Sequence, residues 1–468
     1  MSPADDRPVN PESRAGESDS RNGQWKPHRV RAGSHNWEGD EPPTDPGVHR
    51  KHVEPWLAAL LQAEHVNLLA GSGLTTAIAT LAGAPAVDMK ASTFGCHLAD
   101  AVDRAAKDSA ERCGRGEPNL EDQIRAAREL IAGLRILSAS GGSDAIATRA
   151  GELLARWETA LDERLRALLR AVLATERGIG AAAGPAGADA NRIRRLLGSF
   201  LLTFASRAAS RERLHIFTTN YDRVVEYGCD LLGLRVLDRF VGRLKPVFRA
   251  SRLGIDLHYN PPGIRGEPRY LEGVVRLTKL HGSIDWRQEE RASGAPRILR
   301  SALPLGAAES HPDLPEHPRD GLIVYPNPAK DVETLEFPYA ELFRDFAAAA
   351  CQPNAVLVTY GYGFGDDHIN RVVRDMLTIP STHLAVLSYD GATGRIARFC
   401  EETGRDEQIT LLVGDHFGNL ATLVENYLPK PAIDRTTWRM VELVNRRTPH
   451  GGGEKAGRPD DTSPRDPE

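Results

Sequence analysis

The feature that most constrains this chain is a repeated order of apolar run, small-residue turn and helical stretch, an order that leads to parallel strands. His65 to Ala70 (HVNLLA) is an apolar run ending in Gly71-Ser72-Gly73 and followed by Ala, Leu, Ile and Thr of helical length. Leu214 to Thr218 restarts the strand pattern, with a helix expected over Asp222 to Leu234. Val274 to Leu280 runs as a strand into His281-Gly282. Beyond it the pattern predicts strands at 321–325, 355–360, 384–389 and 409–413, and helices at 338–350, 367–377, 393–403 and 417–427. Strands joined through helices run parallel, and such a sheet is covered on each side. The expected fold class is therefore α/β: a Rossmann-like, mostly parallel sheet with helices on both faces.

Some stretches depart from this order. From about 97 to 210, segments such as LEDQIRAARELIAGLRIL and ELLARWETALDERLRALLRAVLATERG place apolar residues three and four apart with charges between them. This predicts an inserted all-helical subdomain over 97–210. Residues 287–320 are rich in Pro and charge, and irregular structure is expected there. Residues 1–50 and 447–468 are too polar to offset the entropy of ordering and are expected as disordered tails, leaving 51–446 as the folded domain.

Composition narrows the function classes. With 59 basic and 64 acidic side chains the net charge is −5, so no positive field gathers nucleic acid, and direct nucleic-acid binding is not expected. No apolar run approaches the roughly 20 residues of a membrane span, and the first residues show no secretory segment, so a cytoplasmic protein is expected. Cys96, Cys113, Cys229, Cys351 and Cys400 stand far apart and form no C-x-x-C metal clip. Cys229, Cys351 and Cys400 lie in apolar surroundings and read as small core residues.

In a doubly wound sheet, ligands bind outside the carboxyl ends of strands, so residues just after each strand carry the interest. Gly71-Ser72-Gly73-Leu74-Thr75 opens a helix, where free N–H groups and the dipole favour a diphosphate, although such turns also occur as plain structure. Phe217 to Asp222 ends a strand in short polar side chains, which fit either a site or an Asn-Asp cap. Lys279-Leu280-His281-Gly282-Ser283 places an imidazole at a strand end, where it is either a catalyst or a satisfied structural histidine. Val358 to His368 enters a glycine-rich loop with Asp366 before a helix, which reads as a ribose wall or as an N-cap. Asn119, Glu121 and Asp122 open a helix of the insertion and read as caps. Asp390 and Asp415 are strand-end candidates for an adenine ribose, with capping as the alternative.

Together these segments resemble the sirtuin family, in the same order along residues 65–430 apart from the helical insertion. Gly71-Ser72-Gly73-Leu74-Thr75 is similar to that family's Gly-Ala-Gly-x-Ser loop, and Thr218-Thr219-Asn220-Tyr221-Asp222 to its Thr-Gln-Asn-x-Asp. Lys279 to Ser283 is similar to its Leu-His-Gly-Ser, and Gly361 to Gly365 falls where sirtuins carry a loop on NAD⁺. Sirtuin deacylases follow the histidine with paired C-x-x-C motifs that hold zinc. Residues 286–330 here contain no cysteine, so no zinc ribbon is expected. Gly361 to Asn370 also resembles the Gly-Tyr-x-Phe-Gly-Asp-x-His-Ile-Asn motif of bacterial sirtuin-like defence proteins. Members of that group deplete NAD⁺ during phage infection, and some assemble with a HerA-type hexameric ATPase.

The resemblance implies NAD as the bound substrate, with no metal. It implies Asn220 holding water and ribose, and His281 as general base towards a ribose hydroxyl or water. Asp222 would contact the nicotinamide amide; Gly71, Ser72, Gly73 and Thr75 would cradle the diphosphate; Gly361 and Gly363 would line the second wall. The leading expectation is an NAD⁺ glycohydrolase held off until triggered, expected as a homo-oligomer and with a HerA-type ATPase as a candidate partner. The rivals are a non-catalytic NAD or ADP-ribose sensor and an ADP-ribosyl transferase or deacylase.

Overall fold

The computed structural model describes residues 26–112, 116–139, 145–185, 187, 189–251, 255–259, 269–289, 297–315, 317–318, 322–324, 337–389 and 394–431. Met1–Pro429 form one compact unit and Lys430–Glu468 a second, of which only residues 430 and 431 are described.

In chain order the first unit comprises β1 His28–Ala32, β2 His35–Gly39, α1 Gly47–Leu60, β3 His65–Ala70, α2 Ser72–Ala82, α3 Ala99–Arg112 and α4 Leu120–Ser138. Next come α5 Ala145–Ala182, α6 Ala190–Ala205, β4 His215–Thr218, α7 Val224–Leu232, β5 Arg235–Leu237, β6 Phe240–Val241 and β7 Val247–Phe248. They are followed by β8 His258–Tyr259, β9 Arg269–Tyr270, β10 Val274–Lys279, β11 Gly282–Glu289, β12 Arg297–Arg300 and β13 Leu322–Val324. The last part alternates α8 Tyr339–Ala350, β14 Ala355–Tyr360, α9 Asp367–Leu377, β15 His383–Ser388, α10 Arg395–Thr403 and β16 Ile409–Val413. Short helical turns at Asp415–Gly418, Leu420–Thr422 and Leu423–Tyr427 close it.

The main sheet has nine strands in the order β2-β1-β16-β15-β14-β3-β4-β10-β5. Pairs from β16 through β5 are parallel, whereas β1 runs antiparallel to β16 and β2. The Rossmann-like, mostly parallel α/β fold expected from the sequence is present. Strand alternation splits its core: Leu68 and Ala70 face a cluster with α1, α2, α6 and α7, while Leu69 between them faces a cluster with α8, α9 and α10. From β3 the strand order proceeds to β4 and β10 on one side and to β14, β15 and β16 on the other. The switch point therefore lies between β3 and β14, and a crevice opens past their carboxyl ends.

Three expectations are corrected. The tail expected over 1–50 contains an ordered hairpin, β1 and β2, whose Val30 and Ala32 are buried in the core formed with Val53 and Leu57 of α1. Its sequence reads as tail because only alternate residues of a five-residue strand are buried, and its partner β16 lies at the far end of the chain. Residues 287–320, expected as irregular, contribute to β11 and β12 of a second, five-stranded sheet ordered β13-β11-β12-β7-β6. Pairing there is antiparallel, and Trp286 and Ile298 are buried with Phe248, a contact that polar neighbours hide in the sequence. Finally, α6 lies within the expected insertion but packs Leu197, Phe200 and Phe204 into the core of the main sheet, whereas α3, α4 and most of α5 form their own cluster around Trp157. Residues 1–25 and 447–468 and Asp390 lie outside the described residues.

Candidate active site

Two glycine turns interlock at the switch point. Gly71 N–H donates to Tyr360 O at 2.9 Å, and Gly73 N–H donates to Gly361 O at 3.1 Å. A Cβ on Gly71 would stand 2.4 Å from Gly361 O, and one on Gly361 would stand 2.5 Å from Gly73 Cα. Gly361 also has φ +62°, where side chains other than glycine are strained. Two of the N–H groups in the turn that the sequence reading directed at a diphosphate, those of Gly71 and Gly73, are therefore engaged with the end of β14. What these glycines supply is backbone contact between the turns after β3 and β14.

The turn after β4 is tied to the first one. Thr218 Oγ1 donates to Ala70 O at 2.8 Å, and Asn220 Nδ2 donates to Gly71 O and to Thr75 Oγ1, each at 3.0 Å. Because a carbonyl only accepts, the contact with Gly71 O fixes which end of the Asn220 amide faces it. No described group bonds Asn220 Oδ1, which is an acceptor for a water or a hydroxyl. Thr75 Oγ1 in turn donates to Asp222 Oδ2 at 2.7 Å, while Asp222 Oδ1 accepts from Val224 N–H at 3.1 Å. Burial pushes the Asp222 carboxyl up, against the opposing pull of Lys279. Asp222 thus holds Thr75, and through it Asn220.

His281 follows β10 and is held from the opposite side of the switch point. Its Nε2 lies 2.8 Å from Asp366 Oδ2, while Asp366 Oδ1 accepts from His368 N–H as the N-cap of α9. An ionised carboxylate only accepts, so Nε2 carries the proton and the lone pair resides on Nδ1. The loop supporting Asp366 is braced by Tyr362, whose hydroxyl donates to Asn370 Oδ1 at 2.9 Å, and by Asn370 Nδ2 donating to Phe364 O at 3.0 Å. The Gly-Tyr-x-Phe-Gly-Asp-x-His-Ile-Asn pattern is thereby a self-bonded loop that delivers Asp366 to His281.

These turns close on one cavity of about 270 Å³, enough to enclose part of a nucleotide. Gly71, Ser72 and Thr75 line it from the first turn, Asn220 and Asp222 from the second, His281 from the third, and Gly361 and Gly363 from the fourth. Gly73 does not line it and lies against Gly361. Asp415 is also elsewhere, paired with His28 of the N-terminal hairpin.

The cavity holds residues that sequence reasoning read as caps or passed over. Asn119 and Asp122 do form a capping box at the start of α4, yet Asn119 and Glu121 also line the cavity. Glu121 Oε1 accepts from the Tyr221 hydroxyl at 2.7 Å. Burial, then the charge of Glu121 and the bond to it, push the Tyr221 phenol well above its usual range, so it stays a donor. Asp366 has a second role beyond its cap, and Arg395 stands beside Gly363, near enough that a Cβ there would lie 3.3 Å from a guanidinium nitrogen. Only the glycine-rich motif around Asp366 carried a signal that could have flagged one of them. Among the described residues no group of three or more His, Cys, Asp or Glu side chains is arranged to hold a metal, and no described helix is long and apolar enough to cross a membrane.

Residues 214–407 match a family model described as a SIR2-like domain, which supports a sirtuin-like family for this chain and suggests an NAD-related function. The matched stretch runs from the start of β4 to beyond α10, so it includes Asn220, His281 and Asp366. No curated protein matches the chain.

Proposed function

Taking the sirtuin-like family as premise, we propose that the protein is an NAD⁺ glycohydrolase, cleaving the nicotinamide–ribose bond to release nicotinamide and ADP-ribose. The observation that carries this reading is the convergence of Asn220 and the His281–Asp366 pair on one cavity at the switch point. Bond cleavage leaves positive charge shared between C1′ and the ring oxygen of the ribose, and the site must place a water against it. Asn220 Oδ1 is an acceptor that can orient this water, and His281 Nδ1 is the base that can take its proton. Arg395 beside Gly363 supplies positive charge for the diphosphate. The substrate serves as the only cofactor in this chemistry, and no metal is invoked.

An unregulated enzyme of this kind would exhaust its own cell. We therefore propose a triggered effector, of the type used in bacterial defence against phage, controlled by self-association or by a partner such as a HerA-type ATPase. Incubating the purified chain with NAD⁺, alone and with the products of neighbouring genes, and identifying the products tests this reading. Free nicotinamide and ADP-ribose are expected, with loss of both in Asn220→Ala and His281→Ala. Parental consumption of NAD⁺ by those two variants would defeat the assignment. Acyl-ADP-ribose or a modified protein would replace hydrolysis by transfer, and tight binding with no nicotinamide released over hours would make the chain a sensor.

A further inference from the structure

A helix of the inserted layer sends a carboxylate into the cavity. The first turn of α4 is fixed to the segment between α2 and α3 by Leu120 N–H donating to Met89 O at 2.8 Å and by a bridge between Asn119 and Lys90. The capping box of Asn119 and Asp122 closes that turn and leaves Glu121 between them, half-buried and lining the cavity. Tyr221, the residue after Asn220, donates to Glu121 Oε1, and its ring lies 6.3 Å from that of His281, centroid to centroid. Among the described residues no cation pairs with Glu121 and no donor bonds its Oε2. Of the acidic side chains that share the cavity with it, Asp222 and Asp366 have partners for both oxygens.

We propose that Glu121 is a further catalytic residue, its carboxylate facing the nicotinamide ribose and stabilising the positive charge at C1′ while Tyr221 holds it in place. The inference rests on the hydrolase reading above and deepens it. In the reaction the C1′–N1 bond breaks and its electron pair returns to the pyridinium nitrogen, giving neutral nicotinamide. The cation left on C1′ and the ring oxygen is met by the negative charge of Glu121, water adds to C1′, and its proton passes to His281. Fixed charge aimed at charge developing in the transition state is worth about a hundredfold or more in rate, as the carboxylates of glycosidases illustrate. The insertion is then part of the reaction centre, and a displacement of α4 would withdraw Glu121 from it.

The test is Glu121→Gln, which removes the charge and keeps an acceptor for Tyr221, set beside Tyr221→Phe, which keeps the charge and loses the tether. Thermal denaturation of each establishes that the fold is retained. For Glu121→Gln the expected result is a fall in kcat of about a hundredfold with KM within a few-fold of the parent; Tyr221→Phe should lose about tenfold or less. A second readout needs no turnover. In an Asn220→Ala background, where NAD⁺ persists, the affinities for NAD⁺, with its cationic ring, and for NADH, with a neutral one, are compared. Glu121→Gln should lower the NAD⁺ to NADH affinity ratio about fivefold or more. An unchanged ratio overturns the proposal, as does parental kcat in Glu121→Gln. Failure of the hydrolase reading is seen separately, as parental turnover in Asn220→Ala and His281→Ala.

Discussion

The imidazole of His281 and the carboxylate of Asp366 meet at 2.8 Å across 85 residues of chain, joining the turn after β10 to the loop after β14. One aspartate thereby both caps α9 and fixes the proton of the candidate base.

Asp366→Asn separates these two tasks. Asn caps a helix about as well as Asp, so stability should stay within about 1 kcal/mol of the parent. The charge that orients the imidazole is lost, and nicotinamide release should fall by about tenfold or more. Thermal denaturation alongside product assay reads both; parental turnover in this variant would deny Asp366 the orienting role.

Gly361→Ala places a methyl group into Gly73 and forces alanine to φ +62°. Combined overpacking and backbone strain should cost roughly 3 kcal/mol. Gly71→Ala, at an ordinary φ of −93°, meets only the steric part and should be milder. Denaturant titration of both variants checks the order, and equal effects would show that the positive φ carries no cost here.

Glu176 of α5 is fully buried and holds Arg223, the residue after Asp222, while its Oε2 also accepts from Gly306 N–H at 3.0 Å. Arg223 donates further to Pro304 O at 2.9 Å, so the pair joins the helical layer to the second turn of the site. Glu176→Ala leaves a buried guanidinium uncompensated, and a loss of about 3–5 kcal/mol is expected. Chemical denaturation measures it; a loss below about 1 kcal/mol would mean that the guanidinium finds water or another partner.

Acid should loosen the N-terminal edge of the sheet. Burial, then His35, His416 and His52, push His49 from its ordinary 6.5 down to about 4. His35 Nε2 lies 2.9 Å from His49 Nδ1, and the rings of Trp37 and Phe417 pack on His49. Folding therefore favours the neutral form. The stability this contributes is present above about pH 6.5 and is lost as pH falls towards 4. Tm measured from pH 7 to pH 4.5 should fall less steeply in His49→Gln than in the parent, and parallel curves would exclude His49 as a source of the acid sensitivity.

Much of the frame was legible in the sequence. Strands β3, β14 and β16 and helix α9 lie where periodicity placed them, because long apolar runs between glycine turns specify local backbone and burial together. The hairpin of β1 and β2 was not legible, since its burial depends on a strand nearly four hundred residues away. Likewise, Asn119 and Asp122 were readable as caps, while Glu121 between them gave no local sign of facing a cavity.

What the sequence alone determined is the order of strand-end turns and the chemistry each carries: glycine after β3 and β14, an amide after β4, an imidazole after β10. Tertiary structure decided which of these side chains act on one another. Only the crossover between β3 and β14 makes Gly71 touch Gly361, only the packing of α9 brings Asp366 to His281, and only the docking of α4 brings Glu121 to Tyr221 across 100 residues. The physical reason is one of range. Backbone hydrogen bonds and the periodicity of burial act over a few residues and leave a local pattern, whereas a side-chain pair across the fold depends on the packing of every element between.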